Sequence, residues 1–255
     1  LSWQILGNDA PMLDDSERIA EWRSFIEASP QPFFAHLHLM GTHGAFFDPT
    51  LRHFSEGIEQ TDPWMTDFYD DSILQFDAHV ADVLQILKDR GEYENTLIII
   101  NSDHGSRWRL DRRLPLLIRF PGKEHVGRIT WNTQRVDIAP TIVDYLGAEV
   151  PAWMTGHSLI GPGPDGRRQI FSFVSTETGR DSEDPPFYNL QTVQVAVGDR
   201  LYELDLDTTE IRTTRLDGHT DPLEESEVQT VAEVRQDIVR HLSAHAYDVS
   251  GLEAP

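Results

Sequence analysis

Hydrophobic positions fall into blocks whose period changes along the chain, and each change marks an element. Over residues 14–28, Ile19, Trp22 and Ile26 share one helical face, with Asp14 or Asp15 at the N-cap and Pro30 and Pro32 beyond the end. Residues 32–40, PFFAHLHLM, read as a buried strand, apolar on both faces apart from His36 and His38, followed by the turn-like GTHG. The longest helical signal runs over 64–90, where Phe68, Ser72, Phe76, Val80, Val83 and Leu87 recur at spacings of three and four before Gly91. Residues 96–100 (TLIII) and 114–120 (LPLLIRF) are short apolar strands, and 137–147 is a helix with Asp137 at its N-cap and Gly147 after its end.

Beyond Gly161 the pattern shifts. GPGPDG (161–166) is a loop by composition, and RQIFSFV, TVQVAV and RLYELDL follow as strands, the last two joined by the Gly-first hairpin turn Gly198-Asp199. A charged helix over 222–247 closes the chain, with Val228, Val231, Val234, Ile238 and Leu242 on one face. The chain thus divides at 1–163, an α/β portion with a parallel-rich sheet flanked by helices, and 164–255, a small antiparallel α+β subdomain. No internal repeat is present. The opening at Leu1, in what reads as the middle of a fold, predicts the C-terminal portion of a longer protein.

Composition narrows the function. The 43 acidic and 21 basic residues give a formal net charge of −22, which argues against a general nucleic-acid binder. Lys88 and Lys123 are the lysines and the remaining cations are arginines, a balance that suits salt adaptation and a GC-rich genome equally. With no cysteine, the chain holds neither a disulfide nor a thiolate ligand, and no apolar run approaches the roughly 20 residues of a membrane-spanning helix.

Chemistry concentrates after two strands. A right-handed strand–helix–strand crossover would place the ends of 32–40 and 96–100 on one sheet edge, bringing Gly41-Thr42-His43 toward Asp103-His104. Asp103 and His104 offer a carboxylate and an imidazole, a pair that suits zinc or manganese and, with more carboxylates, calcium. The alternative reading makes Asp103 a cap of the next turn and His104 a surface histidine. His43 has the same two readings, as a reactive group or a satisfied loop residue, and His38 reads as structural support. Arg107, Arg109, Arg112 and Arg113 follow the pair. Arginine forks suit sulfate or phosphate oxygens, and Arg107 is nearest in sequence.

Four motifs in order then become informative: PFFAHLHLMGTHGAFF, YDDSILQFDAHVADVLQILKDRGEYENTLIIINSDHG, RLPLLIRFPG and VDIAPTIVDYLGAEVPAWMTGHSL. Together, over about residues 30–160, they resemble the second half of a sulfatase of the alkaline-phosphatase superfamily, and GDRLYELDLDTTE resembles the family's C-terminal sheet. The resemblance implies an alkaline-phosphatase-like α/β fold and one divalent cation, calcium first, with zinc and manganese as alternatives. By position it implies that Asp103 and His104 bind the cation, that His43 contacts the sulfate or phosphoryl group, and that His38 and Arg113 support. The family's nucleophile and two further acidic ligands belong to an upstream segment absent here, so the isolated chain is expected to be inactive. The lysine or second histidine of many members is also missing between SDHG and RLPLLIRFPG, and Arg107 and Arg109 are the candidates to replace it. A sulfate ester is the first substrate class. A phosphoryl-group hydrolase, a phosphoethanolamine-type transferase and a non-catalytic member are the alternatives. An upstream Cys-x-Pro-x-Arg favours the sulfatase and a lone threonine favours phosphoryl transfer.

Overall fold

The computed structural model describes residues 14–29, 32–108, 112–164, 168–175, 190–216 and 228–252. They form four helices, α1 (Asp15–Ala28), α2 (Thr66–Asp89), α3 (Ile138–Tyr145) and α4 (Val231–Ala244). The six strands are β1 (Ile98–Asn101), β2 (Leu116–Arg119), β3 (Gln169–Ser175), β4 (Leu190–Val197), β5 (Arg200–Asp205) and β6 (Ile211–Arg215). β1 and β2 make a two-stranded sheet, and β3-β4-β5-β6 a second sheet of four. The α/β character and the antiparallel C-terminal subdomain are as the sequence predicts. The chain separates into two compact units, Leu1–Ile99 with Ile118–Glu124, and Ile100–Leu117 with His125–Pro255.

In the first unit α1 opens with a full capping box: the Asp14 carboxylate accepts from the Glu17 amide at 2.8 Å while the Glu17 carboxylate accepts from the Asp14 amide at 3.1 Å. Ile19 and Ile26 are its buried apolar anchors, and the helix packs beside α2. α2 buries Phe68, Ser72 and Leu87 as its period predicts, and Gly91 takes the left-handed conformation (φ 71°) just past its end.

One predicted strand is not formed. Residues 32–40 belong to no sheet among the described residues. Their exposure alternates as in an extended chain, with Phe33, Ala35, Leu37 and Leu39 half-buried and Phe34, His36 and His38 exposed. An apolar run encodes extension, but a strand also needs a ladder partner. The segment is therefore apolar on one covered face rather than on two, and the crossover drawn through it has no ladder to rest on.

The second unit is built on the antiparallel sheet. β4 pairs antiparallel with β3, with a register shift between Val174 and Ser175, and with β5 over Thr192 to Val197, and β6 adds an outer strand to β5. The β4–β5 hairpin turns at Gly198, whose φ of 52° suits the Gly-first turn. Val193, Val195, Val197, Tyr202 and Leu204 pack against Val234, Ile238 and Leu242 of α4, whose spacing of four lays one helical stripe on the sheet. α4 starts later than predicted. Thr230 and Glu233 make a capping box there, Val228 precedes the helix and Val231 is exposed. Residues 222–227 of the predicted helix lie outside the described residues.

At α3, Asp137 stands at the N-cap position, but its fully buried carboxylate makes no capping bond to the helix and is engaged elsewhere. Its carboxylate accepts from the amides of Gln134 and His157, both at 2.8 Å, and takes both guanidinium arms of Arg168 at 2.8 and 2.6 Å. A buried charge survives only when so fully paired.

Candidate active site

The turn that carries His43 is fixed from α1. Asp15, 8% exposed, accepts from the amides of Met40 and Gly41 through its two carboxylate oxygens, each at 2.7 Å. Arg18, one turn on, donates to the His38 carbonyl at 3.0 Å. The His43 amide closes the turn on the Met40 carbonyl at 2.8 Å. Gly41 is required for this approach: a Cβ there would sit 2.8 Å from Asp15 Oδ2. His38 and His43 are both exposed, and the His38 ring lies parallel to that of His36, centroids 6.3 Å apart at 8°. His38 therefore contributes its carbonyl to the scaffold and its ring to an outward-facing pair.

α2 locks the loop that follows. The Asp71 carboxylate, wholly buried, accepts from the amides of His53, Phe54 and Ser55 at 2.8–3.0 Å and from the Ser55 hydroxyl at 2.6 Å. Burial alone pushes this carboxyl up. The hydrogen bonds from Ser55, Phe54 and His53 outweigh it and hold the group well below the usual carboxylate range. One turn on, Gln75 Oε1 accepts from the Thr50 amide at 2.6 Å. The sequence marks Asp15 only as a candidate cap and gives Asp71 and Gln75 no role, because an acid in a first turn or a polar residue in an amphipathic helix carries no sign of a distant backbone partner.

In the second unit Asp103 and His104 stand together after β1. Asp103 Oδ1 and His104 Nε2 are 3.9 Å apart, with the two side chains 54% and 31% exposed. Ligands about 2.0–2.6 Å from one cation lie roughly 3–4 Å from each other, so the spacing admits a shared ion. His104 Nδ1 lies 2.9 Å from the Gly105 carbonyl, and assigning the proton to that nitrogen puts the imidazole lone pair at Nε2. The Ser102 hydroxyl donates to the His104 carbonyl at 2.6 Å, and Asp103 Oδ1 accepts from the His104 amide at 2.9 Å. The last contact is the turn-capping alternative realised in part. No group of three histidine, cysteine, aspartate or glutamate side chains able to hold a metal occurs among the described residues. The donor set therefore fits a divalent cation as two of its ligands, with others to be supplied.

Arg107 is exposed and adopts a left-handed backbone (φ 58°, ψ 28°), unusual for a residue with a Cβ. Arg109 lies outside the described residues. Arg113 donates to Asn132 Oδ1 at 3.4 Å, in keeping with a supporting role.

Among the described residues no helix is long and apolar enough to cross a membrane. The chain is 33% identical over 101 residues to the N-acetylglucosamine-6-O-sulfatase of Bacteroides thetaiotaomicron, an alignment covering 34% of this chain and 18% of that protein. It is 30% identical over 154 residues to arylsulfatase K of Danio rerio, covering 56% and 27% of the two. Its fold matches a solved Bacteroides thetaiotaomicron chain, described with the metabolism of multiple glycosaminoglycans, at a TM-score of 0.63 and 17% identity, over 92% of this chain and 59% of the other. These alignments thus take in under a third of each curated relative's length. The family model described as sulfatase matches residues 6–148, more than half of the sequence, and the chain belongs to the sulfatase family.

Proposed function

We propose that this chain supplies the cation-holding and sulfuryl-contacting residues of a sulfatase, a hydrolase that cleaves sulfate esters. The observation that carries the reading is the Asp103–His104 pair, a carboxylate and an imidazole 3.9 Å apart inside the stretch matched by the family. Asp103 and His104 would be two ligands of one divalent cation, calcium first and zinc or manganese as alternatives. When bound, such an ion supplies Lewis-acid polarisation of the ester's non-bridging oxygens.

The chain's own residues do the rest of the work assigned to them here. His43, presented on a turn whose backbone is satisfied by Asp15, hydrogen-bonds an oxygen of the sulfuryl group on which charge builds as the ester S–O bond breaks. His38 supports that turn. Arg107, with its planar fork, binds sulfuryl oxygens, and its left-handed backbone is the kind of departure that gathers at working sites. The oxygen nucleophile that attacks sulfur, and the remaining ligands, belong to residues other than these 255. Residues 1–163 are the catalytic portion and 164–255 the supporting subdomain. The isolated chain should accordingly show negligible turnover, since the reaction lacks its attacking group.

The test uses the full-length protein. Asp103→Asn should remove bound metal and aryl sulfate hydrolysis together. Unchanged metal content would return Asp103 to turn capping, and hydrolysis of aryl phosphate in preference to aryl sulfate would move the enzyme to the phosphoryl branch of the superfamily.

A further inference from the structure

We propose that Asn132 and the Gly198-Asp199 turn are positioning residues for the loop that carries Asp103 and His104, holding the far end of that loop through Arg113. The proposal rests on the reading of Asp103 and His104 as cation ligands. It adds a task for the C-terminal sheet, which then sets cation affinity as well as stability.

The loop runs from the end of β1 at Asn101 to the start of β2 at Leu116. A loop fixed only at its strands is free to close in many ways, and each further anchor removes some of them. Arg113 is such an anchor. Its Nη1 donates to Asn132 Oδ1 at 3.4 Å. The other end of the same amide, Asn132 Nδ2, donates to the Gly198 carbonyl at 3.0 Å, in the hairpin turn of β4 and β5. Asn132 is 6% exposed, and its own carbonyl accepts from Arg168 Nη1 at 3.2 Å, the arginine that also clamps buried Asp137. Three directions of hydrogen bonding thus immobilise one side chain and its backbone.

The residue type follows from the geometry. Only a side chain with an acceptor and a donor at its tip can face a guanidinium on one side and a carbonyl on the other, and the asparagine amide offers both. Charge acts in the same sense. Asp199, 4% exposed in the same hairpin turn, attracts Arg113, and this attraction opposes the lowering of the arginine's pKa by burial. Arg200 and Arg215 flank the buried Asp199 carboxylate at 3.5 and 2.8 Å.

Calcium titration by calorimetry and hydrogen exchange over residues 102–108, on the full-length protein, test the brace. Asn132→Ala should weaken calcium binding about tenfold, the lower end of what a lost outer partner costs a metal site, and should speed exchange selectively in 102–108. Asn132→Asp keeps the acceptor for Arg113 but loses the donor to the Gly198 carbonyl, and should likewise weaken calcium binding. Asp103→Asn should abolish calcium binding while leaving exchange in the loop unchanged. If Asn132→Ala binds calcium as the parent does, or speeds exchange evenly across the chain, the brace is wrong. If Asp103→Asn binds calcium normally, the underlying cation reading is wrong and the brace falls with it. Should Asn132→Ala not fold, Arg113→Lys, which keeps the charge but loses the fork, takes its place, and normal calcium affinity in that variant overturns the proposal.

Discussion

The two stretches assigned to chemistry are held in opposite ways. The turn 40–44 borrows its rigidity from α1, where a buried carboxylate 25 and 26 residues away in sequence accepts two of its amides. The loop 102–105 instead carries hydrogen bonds between residues one or two positions apart, and the proposed brace reaches it only from its far end, at Arg113. A remotely held turn can keep its reactive side chain exposed without fraying, because the support is on the backbone and buried. A loop tied by its own neighbours puts atoms of the proposed ligands into the scaffold, so that support and the proposed function are not separable there. Substitutions near His43 should therefore split stability from activity, whereas substitutions at 102–104 that delete one of the loop's own hydrogen bonds should change both.

The largest effect expected from that contrast is on rate. His43→Ala in the full-length enzyme should lower turnover by about a hundredfold, in the range for loss of one transition-state hydrogen bond, with calcium affinity and Tm unchanged. Turnover equal to the parent's would leave His43 a plain loop residue. Next comes Asp15→Ala, which strands the amides of Met40 and Gly41. It should cost about 1–3 kcal/mol in urea unfolding, and turnover should fall while calcium still binds, since the loop 102–105 does not depend on Asp15. Smaller again is Ser102→Ala, which deletes one hydrogen bond to the His104 carbonyl. Here about 0.5–1.5 kcal/mol of stability and a measurable part of the calcium affinity should be lost together. A variant that lost stability but kept full affinity would show the loop to be less self-held than its contacts imply.

The same contrast explains what the sequence disclosed. The juxtaposition of Asp103 with His104 was legible because adjacency in sequence is there adjacency in space. α1, α2 and α3 were legible from period and caps, and the β4–β5 hairpin from Gly198-Asp199. Asp15, Asp71 and Asn132 were not, because each acts on main-chain groups across 16 to 66 residues, and backbone partners leave no signature in side-chain pattern. β6 escaped for a different reason: IRTTR is an outer strand with only Ile211 partly covered, so it lacks the alternation that marks a strand. The segment 32–40 was misjudged as a strand because its composition reports extension and not pairing.

Acidification should separate the two units with the smallest perturbation. In the second unit, His241 stacks on Phe171 with centroids 3.8 Å apart and lies 4.5 Å from the His245 ring. Burial, and then the neighbouring His245, push its pKa below the ordinary histidine value. The folded state thus prefers the neutral ring. Its contribution is complete above the unfolded value near 6.5 and is lost as pH falls from there through the lowered folded value. Asp71 in the first unit is also depressed, but as an acid: its contribution is present above about 3.8 and is lost only as pH falls further. Exchange-protected amides of α4 should therefore loosen at mildly acidic pH, while those of residues 53–55 stay protected until the carboxylate range. His241→Phe, which keeps the stack and removes the proton, should abolish the first step and leave the second. Coincident loss of both regions at one pH would mean that the C-terminal helix and the α2-anchored loop melt as a single cooperative body, and that the two ways of holding a site are not energetically distinct.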